Sequence, residues 1–121
     1  MYVDGFVIPV PRKKLKAYLA LARKAAKVWI DHGALEVREC VADDVKVGKV
    51  TSFPRSVKLA RGETVIFAWI AFRSRKERDR VNAAVMKDPR LASMADPETD
   101  LPFDMMRMIF GGFEVAVKAQ A

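Results

Sequence analysis

The sequence predicts an α+β domain in which strands and helices follow the order β-α-β-β-α-β, as in a ferredoxin-like sandwich. Three observations predict it. The chain has 121 residues, which suits one core, so residues 1–121 are expected to form a single domain. Apolar, β-prone runs lie near both ends of the chain. Two segments with helical periodicity lie between these runs and are separated by further strands.

The first strand and first helix follow from apolar spacing and proline positions. Tyr2 to Ile8 is a short apolar run that Pro9 and Pro11 stop. Apolar residues then recur at steps of three and four, which predicts a helix with one apolar face formed by Leu15, Tyr18, Leu19, Ala22, Ala25, Ala26 and Trp29. Gly33 is a suitable C-terminal cap for that helix.

The second strand is expected over residues 34–42, where Leu35, Val37, Glu39 and Val41 share one side. Asp43, Asp44 and Gly48 then indicate a turn. Residues 50–53 are compatible with a short strand, but Pro54 restricts it to a sheet edge or an excursion.

Residues 63–72 give the strongest strand prediction. Both alternating faces of this segment are apolar, so the strand is expected to be central and covered on both sides. Ser74 and Glu77 have capping-box spacing and predict a second helix that ends near Lys87, ahead of Pro89.

The C-terminal part is expected to return to the sheet. Residues 90–104 contain Pro97 and Pro102 and predict an irregular connection, after which residues 105–117 predict a last strand. Gly111 and Gly112 inside that strand indicate either a bulge or a close backbone approach.

The apolar character of the 63–72 strand also predicts an oligomer. Two helices cover one face of such a sheet and leave the other to water, yet the strand is apolar on both sides. A second copy of the same sheet is the simplest cover. We therefore expect a symmetric homodimer in which two sheets form a dimeric α/β barrel.

Composition excludes several classes of protein. With 51% hydrophobic and 31% charged residues, the chain is not expected to be disordered. No apolar run approaches the roughly 20 residues that span a bilayer. The start of the chain lacks the basic residues of a signal peptide, and Cys40 is the single cysteine, so we expect a cytoplasmic protein. We expect no metal site, since one His and one Cys on separate elements lack ligand spacing. We also expect no cofactor, with haem binding through His32 as the open alternative.

The formal net charge of +7 makes RNA, anionic metabolites or acidic surfaces conceivable partners. The basic residues of the first helix, Lys13, Lys16, Arg23 and Lys27, have no interleaved aromatic side chains. Proteins that bind RNA bases usually provide such stacking surfaces. Nucleic-acid binding is therefore expected to be absent or non-specific.

His32 is the catalytic candidate because it is the only histidine and so the only side chain with an ordinary pKa near neutrality. Its position at the end of a helix has a structural explanation as well, since a cation is favourable there. Cys40 lies in a strand with no activating partner beside it, and we expect a buried structural thiol. Asp43 and Asp44, with Glu36 and Glu39 upstream, are candidates for a site of a hard cation such as Mg²⁺, but turn chemistry explains the two aspartates at least as well.

Asp4, Trp69, Arg73 and Arg107 are the candidates for ligand binding. An arginine within an apolar strand needs an anionic partner. For Arg107 that partner is Asp4, Glu114 or the carboxylate of a ligand. Trp69 either belongs to the core or forms a wall of an apolar pocket, as do Phe67, Phe72 and Trp29.

Several separated strings carry a family resemblance. They include Tyr2 to Val7, His32 to Glu36, Gly48 to Pro54, Asp88 to Leu91 and Gly111 to Glu114. In order and spacing they resemble the YbaA-like family of small uncharacterised bacterial proteins, over nearly the whole chain. The resemblance implies a dimeric α/β barrel. The wider superfamily of dimeric α/β barrels includes cofactor-free monooxygenases, haem enzymes, lactone isomerases and stress-response proteins. The fold alone therefore does not select a function.

Three functional hypotheses follow. The first is a cytosolic homodimer with a small-molecule pocket between sheet and helices, acting either as a cofactor-independent, monooxygenase-like enzyme or as a binding protein. The second is a basic RNA-associated protein, motivated by the net charge. The third is a stress or interaction module without chemistry.

Overall fold

The computed structural model describes residues 1–96 and 98–121 and has an α+β architecture. Its strands are β1 (Tyr2–Pro11), β2 (Glu36–Val41), β3 (Glu63–Phe72) and β4 (Ile109–Glu114). Its α-helices are α1 (Leu15–His32), α2 (Phe53–Ser56), α3 (Arg75–Met86) and α4 (Ala92–Ala95). Two 3-10 turns, Arg12–Lys14 and Pro89–Leu91, precede α1 and α4.

The four strands form one antiparallel sheet in the order β2-β3-β1-β4. The predicted 63–72 strand is central, because it pairs with β1 on one side and β2 on the other. Its pairing with β1 runs without interruption from Tyr2 opposite Phe72 to Pro11 opposite Glu63. This long central pair fixes which side chains of β1 and β3 share a face.

Helices α1 and α3 pack on one face of the sheet. Val28 of α1 and Val81 and Val85 of α3 meet Ile70 and Phe72 of β3 in one core cluster. The C-terminal end of α1 and the N-terminal end of α3 lie where the sequence predicted them. Gly33 caps α1 in a left-handed conformation with φ of 118°, and the Ser74 hydroxyl accepts a hydrogen bond from the Glu77 amide at 3.1 Å.

The opposite face of the sheet is partly covered by the chain itself. Val57, just after α2, is buried against Val7 and Val65. The short strand considered for residues 50–53 is wrong, because a helix begins at Phe53. Ser52 caps that helix by accepting from the Arg55 amide, and Pro54 fits its first turn, where no amide donor is needed.

The C-terminal strand is shorter than expected and begins at Ile109, so Arg107 precedes it. Its pairing with β1 is regular from Tyr2 opposite Glu114 to Val7 opposite Ile109, which rules out a bulge at Gly111 and Gly112. Gly112 instead makes room for a side chain, since the ring of Tyr2 occupies the space that a Cβ at Gly112 would need.

The connection before β4 is not wholly irregular, because it contains a 3-10 turn and α4. Pro97, which the sequence analysis placed in this connection, lies outside the described residues. The expectation that Cys40 is buried is wrong. Its thiol is exposed because β2 is an edge strand and Cys40 lies on the face away from α1 and α3. Among the helices described, none has the length and apolarity to cross a membrane.

Candidate functional site

A cavity of about 460 Å³ lies between α1 and α3 and the sheet face that they cover. Phe6 and Ile8 of β1 and Ile70 of β3 contribute its floor. Sulfur-containing and aromatic side chains from α3, α4 and the segment before β4 also line it, among them Met86, Met94, Phe103, Met105 and Met108. The lining is overwhelmingly apolar, with a small number of polar groups.

Alanines on α1 explain why space remains here. Ala22, Ala25 and Ala26 of α1 line the cavity where larger side chains would fill it. They belong to the apolar face that the helical periodicity predicted. On either side of them, Tyr18 and Val28 are large and buried, so the helix is held firmly at both ends of the alanine stretch.

One polar group in the cavity is a phenol–carboxylate pair. The hydroxyl of Tyr18 on α1 donates a hydrogen bond to the Oε1 atom of Glu39 on β2. Burial raises the pKa of the Glu39 carboxyl, and the Tyr18 hydrogen bond offsets only part of this rise. Burial, reinforced by the carboxylate, raises the pKa of Tyr18 far above its ordinary value, so the phenol stays protonated.

The second polar group is a network around Asp4, which is only 6% exposed. Its carboxylate accepts hydrogen bonds from Arg78 Nη1 at 3.2 Å and from Asn82 Nδ2 at 3.3 Å. The Asn82 Oδ1 atom accepts from Trp29 Nε1 at 2.9 Å. Arg78 also lies over the Tyr2 ring, 4.9 Å from its centre. The buried charge of Asp4 is thus compensated within the protein.

The chain's net charge is not reflected in the cavity. The carboxyl groups of Asp4 and Glu39 and the guanidinium of Arg78 line it, which gives a local charge of −1 when all are ionised. The whole chain carries +7. The cavity is therefore a locally acidic, apolar region of a basic protein.

Comparison with known proteins assigns the family. Residues 1–105 match the family described as "Protein of unknown function (DUF1428)". The chain belongs to this family. It is 47% identical to the uncharacterised protein YbaA of Escherichia coli strain K12 over 113 residues, which cover 93% of this chain and 94% of that protein. YbaA of Shigella flexneri shows the same identity and coverage. The resemblance noted in the sequence is confirmed.

Of the five candidate site residues, Asp4 lines the cavity and the other four lie elsewhere, whereas Trp29, considered as a pocket wall, also lines it. His32 places its Nε2 atom 2.8 Å from Oδ2 of Asp88 at the end of α1. Arg90 joins the same cluster, contacting both Asp88 and Asp31. Arg90 and, secondarily, His32 hold the pKa of the Asp88 carboxyl well below its usual range. This cluster ties the end of α1 to the turn after α3.

Arg107 is bound within the protein, but its partner is neither Asp4 nor Glu114, the two internal partners that the sequence suggested. Its guanidinium makes two contacts with the Glu63 carboxylate, Nη2–Oε2 at 2.6 Å and Nη1–Oε1 at 2.8 Å, and a third with Asp104 Oδ2 at 2.8 Å. It also donates to the carbonyl of Lys58 at 3.0 Å. Asp4 lies on the opposite half of β1 from Pro11, which pairs with Glu63, so the two clusters are separate.

Trp69 and Arg73 also lie outside the cavity lining. Trp69 is on the other face of the sheet, where its ring centre is 5.8 Å from that of Phe67. Arg73 is exposed and follows the last residue of β3. The five predicted site residues are therefore not brought together. In the described part of the chain, no three His, Cys, Asp or Glu side chains converge as a metal ion would require.

Sequence reasoning missed Glu39, Tyr18, Arg78 and Asn82 as cavity residues. A signal for the first two was present. Glu39 is in phase with the apolar side of β2, between Val37 and Val41, and Tyr18 is in phase with the apolar face of α1. A carboxyl group on a core-facing side needs a partner or a function. No comparable pattern marked Asn82, which becomes distinctive only when α3 packs over Asp4.

Proposed function

We propose that this protein is a homodimeric α/β-barrel protein that binds a small, largely apolar molecule in the cavity between sheet and helices. The cavity itself carries the proposal. Its volume of about 460 Å³ falls in the range of small-molecule sites, which are mostly apolar with a few convergent polar groups. Tyr18 with Glu39 and the network around Asp4 are such groups.

The polar groups favour a binding site over a packing defect. A cavity left by imperfect packing is expected to be lined by apolar atoms alone, because an inward-facing carboxyl adds a desolvation cost. Glu39 and Asp4 come from β2 and β1, and both are directed into the same space. Two independent strands therefore place costly side chains where a ligand would meet them.

The strand order and helix placement support a ferredoxin-like sandwich as the protomer of this proposal. The order β2-β3-β1-β4 with α1 and α3 on one face leaves the other face largely free. An apolar groove lies there, lined by Val3, Val7, Phe67, Trp69, Ile109 and Phe113. Phe67 is 43% exposed although it belongs to a central strand. A second copy applied by a two-fold axis would bury this groove against its own equivalent.

A cofactor-independent enzyme of the monooxygenase-like kind is a second candidate, favoured by the Tyr18–Glu39 pair. A carboxyl whose pKa is raised by an apolar environment is suited to general-base chemistry near neutral pH. Such a base would take a proton from a bound substrate. The proposed compartment is the cytoplasm, since the exposed thiol of Cys40 is preserved in a reducing environment.

A thermal-shift screen with a cavity-filling variant tests the proposal. Ala25 lines the cavity, and Ala25→Leu would occupy part of it. Ala20 is exposed on the same helix, so Ala20→Leu is the matched control. Compounds that stabilise the native chain and Ala20→Leu, but not Ala25→Leu, would support a ligand site in the cavity. Hits that stabilise all three equally would contradict it.

A further inference from the structure

In the part of the chain that the structure describes, buried and half-buried carboxylates have guanidinium partners, with one exception at the cavity. Asp4 is bound by Arg78, and Glu63 is bound by Arg107. Glu39 lies half-buried in the cavity wall, and its side chain has a neutral phenol as partner. Across residues 1–96 and 98–121, no lysine, arginine or histidine forms a salt bridge with it.

The Tyr18 hydroxyl satisfies only part of this carboxylate. It donates to Oε1, and within the described chain Oε2 has no side-chain or backbone donor. A carboxylate accepts several hydrogen bonds, and a desolvated one is costly unless a charge or donors compensate it. Gln would keep the Tyr18 bond without the charge. The negative charge at position 39 therefore calls for a positive partner.

The other walls of the cavity also suit a cation. Phe6, Tyr18, Trp29, Phe103 and Phe110 line it. They form two aromatic pairs, Tyr18 with Phe103 at 5.6 Å between ring centres and Phe6 with Phe110 at 6.2 Å. Aromatic faces attract ammonium groups, most strongly where water is excluded.

An anionic ligand is less compatible with the same space. Arg78 is the guanidinium that lines the cavity, and it is already engaged by Asp4 and by Tyr2. A carboxylate entering the cavity would have to displace Asp4 from Arg78 and would meet the uncompensated charge of Glu39. The expectation of an anionic ligand at Arg107 does not transfer to this cavity, because Arg107 lies in a separate ion-pair cluster.

We infer that the cavity takes a small, ring-bearing amine whose ammonium group donates to Glu39 while its apolar body lies against the aromatic walls. This rests on the proposed ligand-binding function and specifies the ligand class. Tyr18 is then the group that orients the carboxylate, leaving Oε2 to the ligand. The chain as a whole is positively charged, but the ionisable groups that line the cavity carry a net negative charge, which favours a cationic ligand there.

Isothermal titration of the 121-residue chain with three matched probes tests the inference. The probes are 2-phenylethylamine, its neutral analogue 2-phenylethanol, and the carboxylate 3-phenylpropionate. We expect the amine to bind roughly tenfold or more tightly than the alcohol, as one charge-assisted hydrogen bond provides. The carboxylate should bind most weakly. Equal binding of amine and alcohol, or no amine binding at millimolar concentration, would overturn the inference.

Two variants with one control identify the group responsible. Glu39→Gln should remove the preference for amine over alcohol. Glu36→Gln, the same change on the same strand but at a residue paired with Arg38, should retain it. Tyr18→Phe removes the hydrogen bond that orients the carboxylate but keeps the charge of Glu39, so it should weaken the preference for amine without abolishing it. An unchanged preference in Glu39→Gln would refute the role of Glu39.

The failure of this inference is distinguishable from failure of the proposed function. If alcohol and amine both bind with equal affinity and Ala25→Leu abolishes both, the cavity is a ligand site without amine selectivity. If binding of every probe is unaffected by Ala25→Leu, the cavity is not their site. Both outcomes reject the amine proposal, but only the second rejects ligand binding in the cavity.

Discussion

The hydroxyl of Tyr18 donates a hydrogen bond to the carboxylate of Glu39 inside the cavity between sheet and helices. The two residues are 21 positions apart and join the first turn of α1 to the edge strand β2. Burial raises the pKa of both side chains. The pair therefore combines a fixed donor with a carboxylate that is costly to keep charged.

Removing the charge of Glu39 should stabilise the fold at neutral pH. The pKa of the Glu39 carboxyl is raised in the folded state. The contribution of this carboxyl to the free energy of unfolding is therefore most favourable below its pKa in the unfolded chain, and it is lost as pH rises through its pKa in the folded protein. We expect Glu39→Gln to raise the free energy of unfolding by about 1 kcal/mol at pH 7, the order of an uncompensated buried polar group. The advantage should vanish below about pH 4, where the carboxyl is protonated in both states.

Urea unfolding of wild type, Glu39→Gln and Glu36→Gln across pH measures this effect. Glu36→Gln should be nearly neutral, because Glu36 makes an exposed pair with Arg38. A loss of stability at pH 7 in Glu39→Gln would mean that the carboxylate is compensated by interactions other than the Tyr18 bond.

Arg107→Met should destabilise the protein by about 3 kcal/mol, because it leaves the buried Glu63 carboxylate without its guanidinium. Arg107 lowers the pKa of Glu63, so this stabilisation is present above the ordinary pKa of Glu and lost as pH falls through the lowered value. The deficit of the variant should therefore shrink in acid. Urea unfolding measures it.

A double-mutant cycle provides the control for this pair. Arg107→Met combined with Glu63→Met removes both charges of the pair and should recover much of the stability that Arg107→Met loses. The recovery should be incomplete, because Asp104 also loses its salt bridge with Arg107. Additive effects of the two single substitutions would contradict a direct coupling between Arg107 and Glu63.

The order of the main elements could be predicted from sequence because it depends on local signals. Periodicity located α1, Gly33 located its end, and the two-sided apolar run located β3 at the centre of the sheet. The helix at Phe53 was missed because Pro54 excludes a central strand but is equally compatible with a first helical turn. The residue types alone did not distinguish a short edge strand at residues 50–53 from a helix that begins at Phe53.

The candidate site was harder to predict because its residues meet only through tertiary packing. Arg107 was rightly expected to need an anion, but the choice of Glu63 depends on how the segment before β4 returns over residues 57–63. Trp69 was selected for its chemistry, and only the strand register places it on the face opposite the cavity. The periodicity placed the alanines of α1 on its apolar face, but only the packed fold shows that they leave the space of the cavity.

The open sheet face should mediate dimer formation. Phe113 lines the groove and is 64% exposed in the single chain, so the protomer fold does not depend on burying it. We expect Phe113→Glu to convert a dimer near twice 13.6 kDa into a monomer, because a buried unpaired charge opposes association. Sedimentation equilibrium measures this. Val50→Glu, at a residue exposed on the loop before α2, should remain dimeric.

A wild-type monomer at micromolar concentration would contradict the dimer proposal. An unchanged dimer in Phe113→Glu would place the interface elsewhere.

Nucleic-acid binding should be weak and purely electrostatic. Lys16, Arg23 and Lys27 are exposed on α1, and reversing all three to Glu should leave the circular dichroism spectrum and oligomeric state unchanged. Any RNA affinity measured by fluorescence anisotropy at low salt should be lost in this variant and should collapse near physiological salt in the wild type. Tight, sequence-selective RNA binding at physiological salt would contradict this.

The central claim is that the cavity is the ligand site, and methionine methyl resonances test it most directly. Met86, Met94, Met105 and Met108 line the cavity, whereas Met1 and Met106 do not and provide internal controls. With ¹³C-methyl methionine, titration of 2-phenylethylamine or 2-phenylethanol should shift the cavity signals and leave the controls unchanged. Shifts confined to Met1 and Met106, or no shift at the cavity methionines at millimolar ligand, would contradict the claim.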